Sequence, residues 1–375
     1  MKNFHPGNFM PQSGYRSFQP SKINKEWAID DMQLLHLLSQ ADQQIGKLDM
    51  YSEYVPDIDL YIRMHVAKEA TQSSKIEGTQ TNIKDVLSEK EYVEIEKRDD
   101  WEEVHNYIQA LNNSITRLDK LPFSSRLIRE AHMTLLQGVR GEHKLPGDFR
   151  TSQNWIGGAT ISDAKFIPPH HQTVPELMGD LEVFAHNDEL HIPELLKVAI
   201  LHYQFETIHP FLDGNGRVGR LMITLYLVNK GVLKKPILYL SDFFEHNRLL
   251  YYDNLMMVRL KGDMIQWCKF FLAGVIETAR KGVSTFDQLL KLQKELEHKV
   301  QDVRIKPEFY NKLMTYLYGQ PIIQAKEVAA IIDASEPTAY KLLKQFEDLG
   351  ILQVQNEARY NKVYVFEQYL RLFES

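Results

Sequence analysis

Apolar side chains recur every three or four residues along most of this chain, the spacing that gathers them on one face of an α-helix. The pattern predicts helices over 25–50, 56–77 and 100–118, and another that opens at Ser124 or Ser125, either of which can cap it by accepting a first-turn N–H. It returns over 175–187 and over 193–208, where Pro193 takes a first-turn position that needs no N–H. A further apolar run, VGRLMITLYLVNKG, starts at Val218. The stretch 151–175, TSQNWIGGATISDAKFIPPHHQTVP, breaks the rhythm, and its glycines, prolines and β-branched residues suit a hairpin or ordered loop. The expected fold is mainly α.

The last third divides further. A charged helical stretch at 277–304 reads as a connector to a separate tail. Within the tail, helical spacing covers 307–318 and 324–332. SEPTAYKLLKQFEDLG follows, with Ser335 as N-cap, Pro337 in the first turn and Gly350 as terminator. Two alternating segments, ILQVQ and KVYVF, come last. Helix, turn, helix, hairpin is the order of a winged helix-turn-helix, which usually places its second helix (here 336–349) in the DNA major groove. The charge does not suit that use: 321–366 carries five Lys or Arg against six Asp or Glu. DNA binding stays open, with an interaction or scaffold role the stronger reading.

Charge and composition narrow the rest. With 44 basic and 50 acidic residues, the net charge of -6 argues against a chain built to coat nucleic acid. A single cysteine, Cys268, excludes an internal disulfide and suits a reducing compartment. No apolar run is long enough to span a membrane. The N-terminus reads as an arm spaced by proline and glycine, without an apolar signal core. The expected location is the cytoplasm.

Candidate chemistry concentrates in one window. VAILHYQFETI ends at Ile208, and the next helical run begins at Val218, so HPFLDGNGR at 209–217 is a turn between helices. Gly214, Asn215 and Gly216 then sit at a helix N-terminus, where unpartnered N–H groups and the helix dipole favour an anion. Arg217 and Arg220, three apart, can face the same anion. Asp213 suits a phosphate only by way of Mg²⁺. His209 is the residue type that accepts a proton near neutral pH. Singly, each residue is more often a cap, a turn or a solvated charge. Together they are the parts of phosphoryl chemistry.

Residues 209–220 resemble, without a departure, the H-P-F-x-[DE]-G-N-G-R-x-x-R signature of Fic-domain proteins. FETIHPF and RTSQNWIGG…FIPPHHQTVPELM are similar to the family's motif approach and target-docking flap, and the resemblance covers roughly 100–275. It implies a Fic-type helical bundle with a β-hairpin flap, an N-terminal helical region and a C-terminal winged helix-turn-helix. The corresponding division is 1–99, 100–276, 277–305 and 306–375. It also implies transfer of AMP from ATP to a Thr, Tyr or Ser hydroxyl of a target protein, with pyrophosphate leaving.

By that resemblance His209 is the base and Asp213 holds Mg²⁺. Glu77, Gly214, Asn215, Gly216, Arg217, Val218, Gly219 and Arg220 form the ATP site, with Asn247 a further candidate for its base or ribose. Ile161, Phe166, Ile167 and Pro168 belong to the docking flap, where a backbone edge pairs with the target. Ser73-x-x-x-Glu77-Gly78 resembles the family's inhibitory [ST]-x-x-x-E-[GN] motif, with Glu77 pairing to Arg220; by itself it is also what any helix end before a glycine cap can show. Auto-modification and a homodimer are open. So are transfer of phosphate, UMP or phosphocholine, and a transcription regulator that senses nucleotide through a Fic-like unit. Since every proposed catalytic residue precedes 306, the tail is expected to be dispensable for auto-modification in vitro.

Overall fold

The computed structural model describes residues 1, 4–55, 57–301, 303–355 and 362–374. Where an arm was expected, the chain starts with an antiparallel hairpin, β1 (Gly7–Pro11) and β2 (Arg16–Pro20), in which Phe9 faces Phe18. Five-residue strands punctuated by proline leave too little alternation to show in sequence. Helices α1 (Met32–Tyr54), α2 (Ile58–Ile76), α3 (Ile83–Leu87), α4 (Arg98–Arg117) and α5 (Ser125–Leu135) follow. The helix expected from 25 starts at 32 because the Asp31 side chain accepts the Leu34 N–H at 2.8 Å. Trp27 reaches the core from irregular chain instead, stacked on Phe4 with its indole N–H on the Ile23 carbonyl.

After the loop at 136–173 come α6 (Val174–His186), α7 (Glu194–Ile208), α8 (Asn215–Asn229), α9 (Ser241–His246), α10 (Arg248–Lys261) and α11 (Met264–Gln301). Helix α7 is the axis: every residue from Leu195 to Ile208 is buried, and α6, α8, α10 and α11 pack around it. The Trp267 indole on α11 donates to the Ala199 carbonyl on α7 at 2.8 Å.

Two expectations change. The flap read over 151–175 has no extended strands among the described residues; one antiparallel bridge, Ile156 to Phe166, closes it, and short 3-10 turns cover Ile161–Asp163 and His171–Thr173. Its prolines and paired glycines prevent a longer ladder. The connector read over 277–305 is the second half of α11, which runs unbroken through 276–277 and packs along α1.

The tail is α12 (Pro307–Gly319), β3 (Ile322–Gln324), α13 (Ala325–Ile332), α14 (Glu336–Asp348), β4 (Gln353–Val354), β5 (Val363–Val365) and α15 (Glu367–Glu374). Its sheet has the antiparallel order β3-β5-β4. It does not hang free. Lys84 on α3 donates to both Glu367 oxygens at 3.1 and 3.2 Å, and the Tyr61 ring on α2 lies 5.2 Å from Tyr318 and 6.4 Å from Tyr369.

Candidate active site

The turn between α7 and α8 is held in a strained shape by side chains from elsewhere. His209 caps α7 in the left-handed region (φ 50°, ψ 61°), where a non-glycine residue persists only if its surroundings enforce it. Its N–H stays on the Phe205 carbonyl at 2.8 Å. Its carbonyl accepts from Arg150 Nε (2.9 Å) and Asn154 Nδ2 (3.2 Å). Arg150 is buried and also donates to the carbonyls of Ser152, Pro169 and Ile208, so one guanidinium fastens the base of the flap to the motif. Asn215 closes the loop from within, accepting the Phe211 N–H at 2.8 Å and donating to the Phe211 carbonyl at 2.9 Å. Its amide is thereby committed to the turn.

The backbone N–H groups of Asn215, Gly216 and Arg217 open α8 and have no acceptor among the described residues, because the first intrahelical bond runs from Val218 N to Gly214 O. Asp213 stands beside them with its side chain 46% exposed and Oδ1 on the Gly214 N–H. His132 on α5 supports it, its Nε2–H donating to the Asp213 carbonyl at 3.1 Å while Nδ1 accepts from Gly147 N at 2.9 Å. That ring stacks on Phe211 at 3.7 Å, and burial pushes its pKa down to about 4.

Both arginines are occupied. Arg217 Nη1 bonds Glu103 on α4 at 3.0 Å. Arg220 donates from Nε to Ser73 Oγ (2.8 Å), and from Nη2 to the Ser73 carbonyl (2.7 Å) and Glu77 Oε1 (2.8 Å). Burial alone would push the Glu77 carboxyl up, but the charge and hydrogen bond of Arg220 outweigh it, and the pKa lies below the usual carboxylate value. The same pairing raises Arg220 against its own burial. Glu77 lies directly over the first turn of α8: a Cβ on Gly216 would stand 2.3 Å from its Oε1, so a larger residue there would have to displace the carboxylate.

His209 faces this cluster with its side chain 20% exposed. Burial, then Arg259 and Arg150, push its pKa down to about 3, so the imidazole is neutral at working pH.

Other expected contacts are placed elsewhere. Val218 is buried in the core and its N–H is spent on Gly214, while the Gly219 carbonyl takes His202 Nδ1–H. Asn247 donates to the Phe243 carbonyl at 3.0 Å and caps α9. On the flap, Ile161 lies in a 3-10 turn and the Phe166 ring is buried under the Arg259 guanidinium, 3.9 Å from its centroid. The edge at 166–168 is largely paired within the chain. Phe166 bonds Ile156 through both N and O, the Ile167 carbonyl takes Phe18 N–H at 2.9 Å, and the Pro168 carbonyl takes Gln153 Nε2 at 3.0 Å. Arg150, Asn154, His132 and Glu103 were not visible in the sequence, since each acts on a distant carbonyl or charge.

Comparison with known proteins follows the same outline. A probable protein adenylyltransferase of Aquifex aeolicus is 40% identical over 89 residues, covering 24% of this chain and 26% of the relative. Protein adenylyltransferase Fic of Aedes aegypti is 28% identical over 225 residues, covering 60% and 37%. The chain thus spans only 26% and 37% of the length of these curated relatives. The crystal structure of a Fic family protein from Desulfovibrio desulfuricans superposes over 91% of this chain and 98% of its own, with a TM-score of 0.58 at 19% identity, and so shares the fold. The Fic/DOC family N-terminal model matches residues 35–116 and the Fic/DOC family model matches residues 122–227, the segment that holds the whole turn described above; the chain belongs to the Fic/DOC family.

Proposed function

We propose that this chain transfers AMP from ATP to a hydroxyl side chain of a target protein and is held back by its own Glu77. The carrying observation is the shared first turn of α8. Three open N–H groups and two buried guanidiniums gather there, and Glu77 already supplies an anion beside them. The names of the relatives support the same activity.

In this reading the N–H groups of Asn215 and Gly216 receive the α-phosphate, Arg217 the departing phosphates and Arg220 the γ-phosphate. His209 Nε2 accepts the proton of the target hydroxyl as its oxygen attacks the α-phosphorus; the new P–O bond forms while the bond to pyrophosphate breaks. Asp213 fits as a ligand of Mg²⁺, since its carboxylate is half exposed and adjoins the phosphate-facing N–H groups. Mg²⁺ would neutralise charge on the phosphates there. The acceptor segment lies along the flap with the exposed Trp155 at hand and the Ile167 N–H, which has no acceptor among the described residues. The order of elements in 307–374 supports a winged helix-turn-helix, and its packing on α2 and α3 supports an interaction role over DNA binding.

Incubation of the Glu77→Gly protein with α-labelled ATP, Mg²⁺ and a cell lysate is expected to label protein, with AMP found on Ser, Thr or Tyr by mass spectrometry. Label from γ-labelled ATP instead would assign phosphate transfer and overturn the reading.

A further inference from the structure

Glu206 takes no part in the scheme above, yet it is built into the site. It lies on the last turn of α7, three residues before His209, with its side chain 8% exposed and Oε2 4.0 Å from His209 Nδ1. Among the described residues, His209 Nδ1 and Glu206 Oε1 are both buried without a hydrogen-bond partner. Space is kept for this carboxyl: a Cβ on Gly219 would stand 2.2 Å from Oε1. The groups facing it are Arg220 from α8, Glu77 beyond α2, and Arg259 and Tyr251 from α10. Arg259 also donates to the carbonyl of Glu206 itself at 2.9 Å.

We infer that Glu206 is the positioning residue of the base: its carboxylate takes the Nδ1–H of His209, leaves Nε2 bare toward the target hydroxyl, and stabilises the imidazolium formed when that hydroxyl gives up its proton. This rests on the AMP-transfer reading. The need for such a partner is physical. An imidazole buried near two guanidiniums is a poor base, and a carboxylate at its far nitrogen offsets their field and fixes the tautomer. The proton moves from the target oxygen to Nε2, Nδ1–H stays on the imidazole, and Glu206 remains ionised throughout.

The same geometry ties the base to the inhibitory contact. Burial pushes Glu206 up to about 7, with Glu77 raising it further and Arg220 and Arg259 opposing. Protonated, Glu206 cannot accept the Nδ1–H. Removing the Glu77 charge therefore frees Arg220 and also favours the ionised Glu206.

The test compares Glu77→Gly with Glu77→Gly/Glu206→Gln in the full chain across pH. With Glu206 present, kcat should rise through an acidic limb that lies below about pH 7, because the Glu77 charge that raises Glu206 is gone. The glutamine should remove that limb and lower kcat at least about tenfold with KM for ATP nearly unchanged, since a positioned base contributes about 10²–10⁴ in rate. A retained limb, or an unchanged kcat, overturns the proposal. Should the glutamine variant melt early, Glu206→Asp must keep the limb at reduced kcat, and a lost limb overturns the proposal. Imidazole ¹⁵N NMR of His209 supplies a readout without turnover: Glu206→Gln should mix the tautomers, and an unchanged single tautomer overturns the assignment. If Glu77→Gly transfers no AMP at all, the activity reading fails by itself while the tautomer measurement still decides the role of Glu206.

Discussion

Replacing Glu77 with glycine perturbs one contact with two consequences. In the wild type, Arg220 is 1% exposed and its Nη2 is shared between the Ser73 carbonyl and Glu77 Oε1. ATP must place its γ-phosphate where a carboxylate now stands. Unit charges near 4 Å interact by about 4 kcal/mol at an effective dielectric near 20. The Glu77 side chain is 37% exposed, so water screens the repulsion to about 1–2 kcal/mol, or about 5- to 30-fold in productive ATP. Arg220 keeps both bonds to Ser73 when Glu77 goes, so the guanidinium waits in place for the phosphate. The measurement is initial incorporation of α-labelled AMP at fixed ATP and Mg²⁺. Glu77→Gly should gain by that factor or more, Glu77→Gln by less because its amide can still hold part of the site, and Glu77→Gly/Arg220→Ala should lose the gain. An unchanged rate in Glu77→Gly would refute the reasoning, leaving Glu77 as a helix-end acid.

Two further outcomes are expected. His209→Ala in the Glu77→Gly background should abolish AMP transfer, by about 10²–10⁴-fold, while ATP affinity measured by calorimetry stays close to that of the parent, since the phosphates rest on the N–H groups and arginines. The buried imidazoles should make the fold acid-labile above the range where carboxylates titrate: burial holds His202 down to about 3 and His132 to about 4. Their unfolded pKa is near 6.5, so their contribution is full above that value and is lost as pH falls toward the folded values. By about pH 5 each removes about 2 kcal/mol, which urea unfolding at a series of pH values should show.

What could be read from the sequence follows from where the information sits. Residues 209–220 declare themselves because the chemistry needs those types within one turn, and the break at 151–175 is visible through its glycines and prolines. The supports of the turn are not. Arg150 and Asn154 reach the His209 carbonyl across 59 and 55 residues, and Glu103 reaches Arg217 across 114. A backbone carbonyl carries no residue-type signature, and a buried arginine looks like any other in composition. Glu206 was legible in principle, as an acid three residues before a histidine on an apolar helix, but its burial depends on the glycine that α8 brings against it. The break between core and tail was expected where charge rises, yet charge on one helical face does not end a helix, and α11 continues through it.

That continuity alters the expectation that the tail is dispensable. Helix α2 has two customers: its C-terminal end presents Ser73 and Glu77 to Arg220, and its first half is seated on the tail. Tyr369 is fully buried there, its hydroxyl donating to the Tyr318 carbonyl at 2.7 Å and its ring 5.2 Å from Phe373, which in turn lies 5.0 Å from His65. Truncating such a ring to alanine costs about 3–5 kcal/mol, and the loss falls on the surface that fixes α2. A helix is stiff along its length, so a loosened seat moves Glu77 as well. Tyr369→Ala in the full chain should therefore lower Tm and raise AMP incorporation above wild type. Combined with Glu77→Gly it should add nothing, because the contact it loosens is already gone. A variant that melts earlier but labels at the wild-type rate would show that the tail stabilises α2 without controlling the inhibitory pairing. A variant that still gains in the Glu77→Gly background would place the effect of the tail on some other step.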